Sequence, residues 1–77
     1  MKAYLDARGV MNELAVGRTT AYRLIDSVRA HESRYGAYSV VKYGGIVRVS
    51  SRALIDWMRY GDAIEAGMDV PGYEDAG

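Results

Sequence analysis

The 77-residue chain contains no cysteine, one histidine and one proline. Without cysteine it can form neither a disulfide nor a thiolate metal site, and a reducing compartment suits it best. The single histidine, His31, excludes a histidine-rich metal centre. No apolar run approaches the roughly 20 residues of a membrane helix, and the amino end does not have the form of a secretory signal. We therefore expect a single small domain in the cytoplasm, with no membrane partner.

The charges are distributed unevenly along the sequence. All ten lysines and arginines lie in residues 1–60 together with five acidic residues, which leaves a net charge of +5. Residues 61–77 contain the other five acidic residues and no basic one. A basic body with an acidic end indicates a polyanionic partner, with the end as a modulator or docking segment. An ordinary solvated surface with a frayed terminus accounts for the charges equally well.

The sequence predicts a short amphipathic helix over residues 7–14, with Asp6 as its N-cap. Apolar side chains recur there at helical spacing. The buried stripe is expected to consist of Ala7, Val10, Met11 and Leu14. Residues 15–17 interrupt the pattern and end in Gly17, which predicts the tight connection of a helix-turn-helix.

A second helix is predicted to begin at Arg18, with Gly17 as its cap. It can continue to Tyr35, with Gly36 as a left-handed stop. Its buried stripe is expected to be Ala21, Leu24, Ile25, Val28 and Tyr35. The opposite face collects Thr19, Tyr22, Arg23, Asp26 and Ser27.

Two β-prone runs, residues 38–43 and 46–49, flank Gly44-Gly45 and predict a hairpin with a two-residue turn. The inward face is expected to contain Tyr38, Val40, Val47 and Val49. Lys42 is expected on that same face near the tip, and Arg48 on the other face. The hairpin is therefore predicted to be a small wing with basic side chains.

A third helix is predicted after Ser50 or Ser51, with Gly61 at its end. Its buried side is expected to consist of Ala53, Leu54, Trp57 and Met58. Trp57 is the largest side chain of the sequence and is predicted to lie at the centre of the core. From Asp69 onward proline, glycine and acidic residues predict disorder. We therefore divide the chain into a domain over residues 1–60 and a flexible acidic tail over 61–77.

Helix, tight turn, helix, hairpin and helix together predict an α+β fold, a small winged helix-turn-helix with three helices and a two-stranded β-hairpin wing. The runs LAVGRTTAYRLI (14–25) and IVRVSSRALIDWM (46–58) resemble the excisionase and MerR-like winged-helix domains, which include recombination directionality factors of phages and integrative elements. The resemblance covers about residues 3–60. It implies double-stranded DNA as the partner, an integrase or recombinase as a second partner, cooperative self-association on DNA, and a phage or bacterial origin.

In such a fold the amino-terminal residues of the second helix meet the base edges in the major groove. Arg18 and Arg23 are each predicted to give guanine a bidentate pair of hydrogen bonds. Thr19 and Thr20 are suited to a phosphate or a thymine methyl, and Tyr22 to a phosphate.

The remaining predicted contacts come from the wing and from the start of the third helix. Basic wing residues can enter the adjacent minor groove, and a glycine pair lets the backbone approach closely. Backbone amides at a helix start attract a phosphate. These predicted DNA-binding residues are Lys42, Tyr43, Gly44, Gly45, Arg48, Ser51 and Arg52.

No acid pair, nucleophile with a base, metal cluster or phosphate loop stands out, so we expect neither an enzyme nor a cofactor or metal. Three binding functions remain. The first is an excisionase-like accessory factor that bends DNA and assists an integrase. The second is a small winged-helix transcriptional regulator or phage repressor, and the third is a protein-interaction adaptor. An adaptor does not need a net charge of +5 on its body, and no long dimerisation helix of the MerR type is present, which favours the first.

Overall fold

A computed structural model describes residues 2–73, which form an α+β fold with four helices and a three-stranded antiparallel sheet. The predicted fold, with three helices and a two-stranded sheet, therefore lacked one helix and one strand. In chain order the elements are β1 (Tyr4–Leu5), α1 (Ala7–Leu14), α2 (Arg18–Ala30), α3 (Glu32–Tyr35), β2 (Val40–Tyr43), β3 (Ile46–Ser50) and α4 (Ser51–Glu65).

Helix α1 has the predicted bounds and the predicted cap, because the Asp6 carboxylate accepts a hydrogen bond of 2.7 Å from the backbone N–H of Gly9. It ends at Ala15, which adopts a left-handed conformation with φ 53° and ψ 46°. The N–H groups of Ala15 and Val16 both donate to the carbonyl oxygen of Met11. Gly17 is extended instead and serves as the N-cap of α2 without a side-chain hydrogen bond. The turn between the helices therefore depends on an alanine in the left-handed region.

Helix α2 is shorter than predicted, because it stops at Ala30 rather than Tyr35. In a continuous helix the carbonyl of Ser27 accepts the N–H of His31. Here that carbonyl accepts a hydrogen bond of 2.7 Å from Nδ1 of the His31 ring, and the N–H of His31 donates to Val28. The His31 ring also packs on the Trp57 indole at a centroid distance of 4.5 Å. A short α3 follows and ends at Gly36, whose φ is +87°.

The sheet has the strand order β1-β3-β2. Its third strand, β1, comes from the residues before α1, and Leu5 pairs with Val49. In the hairpin Val40 pairs with Val49 and Lys42 with Val47, as the predicted faces require. Val49 is fully buried and Val40 and Val47 are half-buried, but Tyr38 lies before the strand and is 79% exposed. The prediction that Tyr38 packs inward is therefore wrong.

Helix α4 begins as predicted, with the Ser50 hydroxyl accepting a hydrogen bond from the N–H of Ala53. It continues through Gly61 to Glu65, so the predicted end at Gly61 is wrong and the boundary placed at residue 60 falls inside a helix. Gly61 is buried against the Trp57 ring. Met58 was also assigned to the wrong face, because it is 52% exposed.

The core draws on every helix and on β1 and β3. Trp57 belongs to it, as predicted, with 7% of its surface exposed. The buried apolar residues are Leu5, Val10, Ala21, Ile25, Val28, Tyr35, Val49, Ala53, Leu54 and Trp57. None of the helices within residues 2–73 combines the length and the apolar character that a membrane crossing requires.

The segment after α4 contacts the rest of the molecule. The carbonyl oxygen of Pro71 accepts a hydrogen bond of 2.8 Å from Nη2 of Arg34. The ring of Tyr73 meets the Tyr35 ring edge-on at 4.9 Å. Pro71 and Tyr73 therefore contact residues of α3. The disorder expected from Asp69 onward stays a prediction, and its residues 74–77 lie outside the described residues.

Candidate nucleic-acid interface

The first turns of α2 present a continuous polar surface. This surface consists of the five exposed side chains that the sequence predicted for the helix, which are Arg18, Thr19, Thr20, Tyr22 and Arg23. The opposite side of α2 is anchored by Ala21, Ile25 and Val28, which are buried where the helix packs against α1, α4 and β2. The burial of one side of the helix therefore directs the other side outward.

The arginines on this surface have no ionic partner within residues 2–73, where the one ion pair joins Arg34 to Asp56. An exposed arginine without an intramolecular partner can offer its guanidinium donors to an external acceptor. Asp26 is exposed on the same side of α2, one turn after Tyr22 and Arg23. Its charge repels phosphate, so the surface suited to an anion ends before Asp26.

The tip of the hairpin is a second exposed polar surface. Lys42, Gly44 and Gly45 are exposed, and Tyr43 has 80% of its surface in contact with solvent. Gly44 has a φ of +58°, a left-handed conformation that glycine adopts more readily than residues with a side chain, and it closes the turn. Since α2 packs against β2, the hairpin and α2 are adjacent elements of the molecule.

Arg48 lies farther from the hairpin tip than Lys42, because it pairs with Val41. It is half-buried, and its Nη1 donates a hydrogen bond of 3.0 Å to the carbonyl oxygen of Val47. Asp6 and Glu13 line the same shallow depression as Arg48. Nearby carboxylates make Arg48 a weaker anion contact than Lys42.

The start of α4 does not offer the predicted phosphate site at Ser51. The N–H of Ser51 donates a hydrogen bond of 2.9 Å to the carbonyl oxygen of Ala3, and its hydroxyl donates to the carbonyl oxygen of Lys2. Ser51 is also buried. The sequence did not reveal this occupation, because it requires the amino-terminal residues to pair with β3. Arg52 is exposed, with its guanidinium carbon 5.3 Å from the centre of the Tyr73 ring.

A buried polar network joins α3 to α4. The Asp56 carboxylate accepts hydrogen bonds from Arg34 Nε at 2.8 Å, Arg34 Nη2 at 3.1 Å and the Tyr35 hydroxyl at 2.7 Å. Burial disfavours the charged form of Asp56, but the hydrogen bonds from Arg34 and Tyr35 and the charges of Arg34 and Arg59 outweigh it and lower the pKa of Asp56. Burial, followed by the neighbouring Asp56 carboxylate, raises the pKa of Tyr35. The hydrogen bond to Asp56 is the main reason that the pKa of Arg34 is raised.

This network was not predicted from the sequence. Arg34 and Asp56 are 22 residues apart, and nothing local marks them as partners. The network holds the beginning of α4 against α3 and so has a structural role.

Comparison with known proteins finds no match to this chain: no family model, no curated protein and no solved structure corresponds to it. The features of the molecule that bear on its function are the two exposed surfaces, which are the first turns of α2 and the hairpin tip.

Proposed function

We propose that the chain is a winged helix-turn-helix protein that binds duplex DNA. The observation that carries the proposal is the exposed polar surface on the first turns of α2, where Arg18 and Arg23 have no ionic partner within residues 2–73. A three-residue turn precedes this helix, and a glycine-tipped hairpin lies beside it. That combination is typical of proteins that insert one helix into the major groove.

In the proposed complex the amino-terminal part of α2 enters the major groove, which is about 12 Å wide and accepts a single helix. Arg18 and Arg23 donate to guanine O6 and N7, because a planar guanidinium matches that pair of acceptors. Thr19, Thr20 and Tyr22 contact phosphate oxygens or a thymine methyl. Asp26 marks the limit of the contact, since a carboxylate there repels the DNA backbone.

The hairpin acts as the wing in this proposal. Lys42 near its tip neutralises a phosphate or enters the minor groove, and the exposed Gly44-Gly45 turn allows the backbone to approach the DNA closely. Tyr43, with its ring in solvent, can pack against the sugar-phosphate backbone. These contacts position the protein and carry little sequence information.

We further propose that this DNA binding serves recombination, as in an excisionase-like accessory factor that bends DNA and assists an integrase. The support for this role is the resemblance of residues 14–25 and 46–58 to that family. A small transcriptional regulator uses the same surfaces, so the location of the binding site separates the two roles. Sites grouped at the ends of a mobile element support the accessory factor, and a single operator at a promoter supports the regulator.

The proposal is tested by fluorescence anisotropy with labelled duplexes taken from the DNA around the gene. If four to six phosphates are neutralised, the logarithm of the binding constant should fall with the logarithm of salt with a slope of about −4 to −5. Arg23→Gln should weaken binding, whereas Arg29→Gln should not. Arg29 is an exposed arginine in the last turn of the same helix, so it controls for the loss of one charge. Absence of duplex binding at low salt, or equal effects of both variants, would contradict the proposed placement of α2.

A further inference from the structure

A groove of about 670 Å³ lies between the residues before α1 and the first half of α4, away from the surfaces proposed to meet the DNA bases. Three cationic side chains line it, namely Lys2, Arg52 and Arg59, and all three are exposed. Tyr4 and Tyr60 add aromatic walls. The groove therefore combines positive charge with surface that an aromatic or apolar side chain can cover.

The positive charge of this groove is not balanced within residues 2–73. Asp56 is the only carboxylate among its described lining residues, and it is already occupied by Arg34 and the Tyr35 hydroxyl. No ion pair within the described part of the chain involves Lys2, Arg52 or Arg59. The groove is therefore complementary in charge to an anionic occupant.

The chain itself leads into the groove. Arg34 holds the carbonyl of Pro71 at 2.8 Å, and the Tyr73 ring packs edge-on against Tyr35. The guanidinium carbon of Arg52 lies over the Tyr73 ring, 5.3 Å from its centre. In the sequence Tyr73 is followed directly by Glu74 and Asp75.

We propose that this groove is the binding site of the chain's own acidic end, in which Tyr73 is the aromatic anchor and the carboxylates of Glu74 and Asp75 are the counter-ions of its cations. One residue spans at most about 3.6 Å of extended chain, so these carboxylates follow closely on a ring that already touches Arg52. When the groove is occupied, Arg52 and the other two cations, Lys2 and Arg59, are not available to phosphate. This consequence for DNA rests on the proposed function, whereas the occupation of the groove does not.

The full-length chain is compared with the variant Glu74→Gln/Asp75→Asn. The matched control is Asp62→Asn/Glu65→Gln, which removes the same charge from exposed positions of α4 that do not line the groove. The first readout needs no DNA: the side-chain N–H resonance of Arg52 in a ¹H–¹⁵N spectrum should move in the first variant and stay in place in the control.

The second readout is affinity for a non-specific duplex at low salt. Glu74→Gln/Asp75→Asn should gain about threefold to tenfold over the control, with a salt slope steeper by about one, as expected for one additional cation in contact with phosphate. Adding Arg52→Gln should abolish that gain, because the released cation is then missing.

The outcomes separate the two proposals. A moved Arg52 resonance without any duplex binding supports the groove and overturns the DNA-binding function. A second outcome is that the protein binds the duplex while the Arg52 resonance stays in place and both double variants gain the same affinity. That result overturns the proposed occupation of the groove and supports the DNA-binding function. If Arg52→Gln lowers duplex affinity by the same factor in the native chain and in the Glu74→Gln/Asp75→Asn variant, the groove binds phosphate and not the acidic end. That outcome also overturns the proposal.

Discussion

The indole of Trp57 lies directly against Gly61, one turn later in α4, so that a Cβ on the glycine would stand 2.8 Å from Cε2 of the ring. The ring belongs to the core and cannot move aside without disturbing its neighbours. This contact explains why a glycine is present in the middle of a helix, where it costs about 1 kcal/mol relative to alanine. The close packing of α4 on the core therefore outweighs the low helix propensity of glycine.

Gly61→Ala should therefore destabilise the protein, although alanine is the better helix former. Overpacking typically costs about 1–3 kcal/mol, and we expect a net loss of about 1–2 kcal/mol in the free energy of unfolding, measured with urea. Gly17→Ser is the control, because a Cβ at Gly17 meets nothing within 4 Å and serine is a good N-cap. A more stable Gly61→Ala protein would show that the indole yields easily.

Ala15→Gly should stabilise the protein. Ala15 is the one residue other than glycine with a positive φ in residues 2–73, and the left-handed conformation costs an L-residue about 1–2 kcal/mol. Glycine loses part of this gain through the greater entropy of the unfolded chain, so we expect a net gain of up to about 1 kcal/mol. Ala66→Gly is the control, because Ala66 ends α4 in the right-handed region. Thermal unfolding of both variants provides the measurement. An equal loss of stability in the two would contradict the strain at Ala15.

Asp56→Asn should destabilise the protein strongly, because at a buried position it removes the charge that pairs with Arg34 and leaves one acceptor oxygen in place of the two that serve Arg34 and the Tyr35 hydroxyl. Removing one partner of a buried pair costs about 3–5 kcal/mol, and we expect the lower end because the Arg34 side chain keeps 16% exposure. Asp26→Asn is the matched control on an exposed surface and should change little. Urea unfolding at neutral pH provides the measurement. Equal effects of the two variants would mean that the network does not stabilise the fold.

Acid should weaken the fold through the same carboxylate. The pKa of Asp56 is lower in the folded protein than its ordinary value of about 3.9, so the unfolded chain binds the proton more readily. The contribution of Asp56 is therefore complete above about pH 5, declines as the pH falls below the unfolded value, and is lost once the pH has fallen through the folded value. Urea unfolding between pH 7 and pH 3 should show a steeper loss for the native sequence than for Asp56→Asn. Parallel curves would place the acid sensitivity elsewhere.

The two proposed DNA-contacting surfaces should respond differently to mutation. Arg23→Ala should cost about 1–3 kcal/mol of binding free energy and relax the preference at one base position. Lys42→Ala should weaken all sequences similarly and reduce the salt slope by about one. Binding to a panel of single-base variants of the site, measured at several salt concentrations, distinguishes the two responses. A change of base preference on mutation of Lys42 would reverse the assignment of the two surfaces.

Local signals in the sequence were sufficient to predict α1, the start of α2 and the hairpin. The bounds of α1, its Asp6 cap, the start of α2 at Arg18 and the glycine turn of the hairpin all follow from short-range preferences. Such features depend on residues within a few positions of one another, so the sequence displays them directly. The exposure of the five polar side chains on α2 follows in the same way, from the periodicity of Ala21, Ile25 and Val28.

Tertiary contacts decided the rest. Strand β1 exists because Leu5 pairs with Val49, the end of α2 depends on His31 meeting Trp57, and α4 passes through Gly61 because that glycine fits the same ring. The hydrogen bonds of Ser51 with Lys2 and Ala3, and those of Arg34 with Asp56, also join distant parts of the chain. Where a helix ends, and whether a backbone amide is free to bind a ligand, depends on which residues pack against it. Those residues are distant in the sequence, so no local pattern predicts the contact.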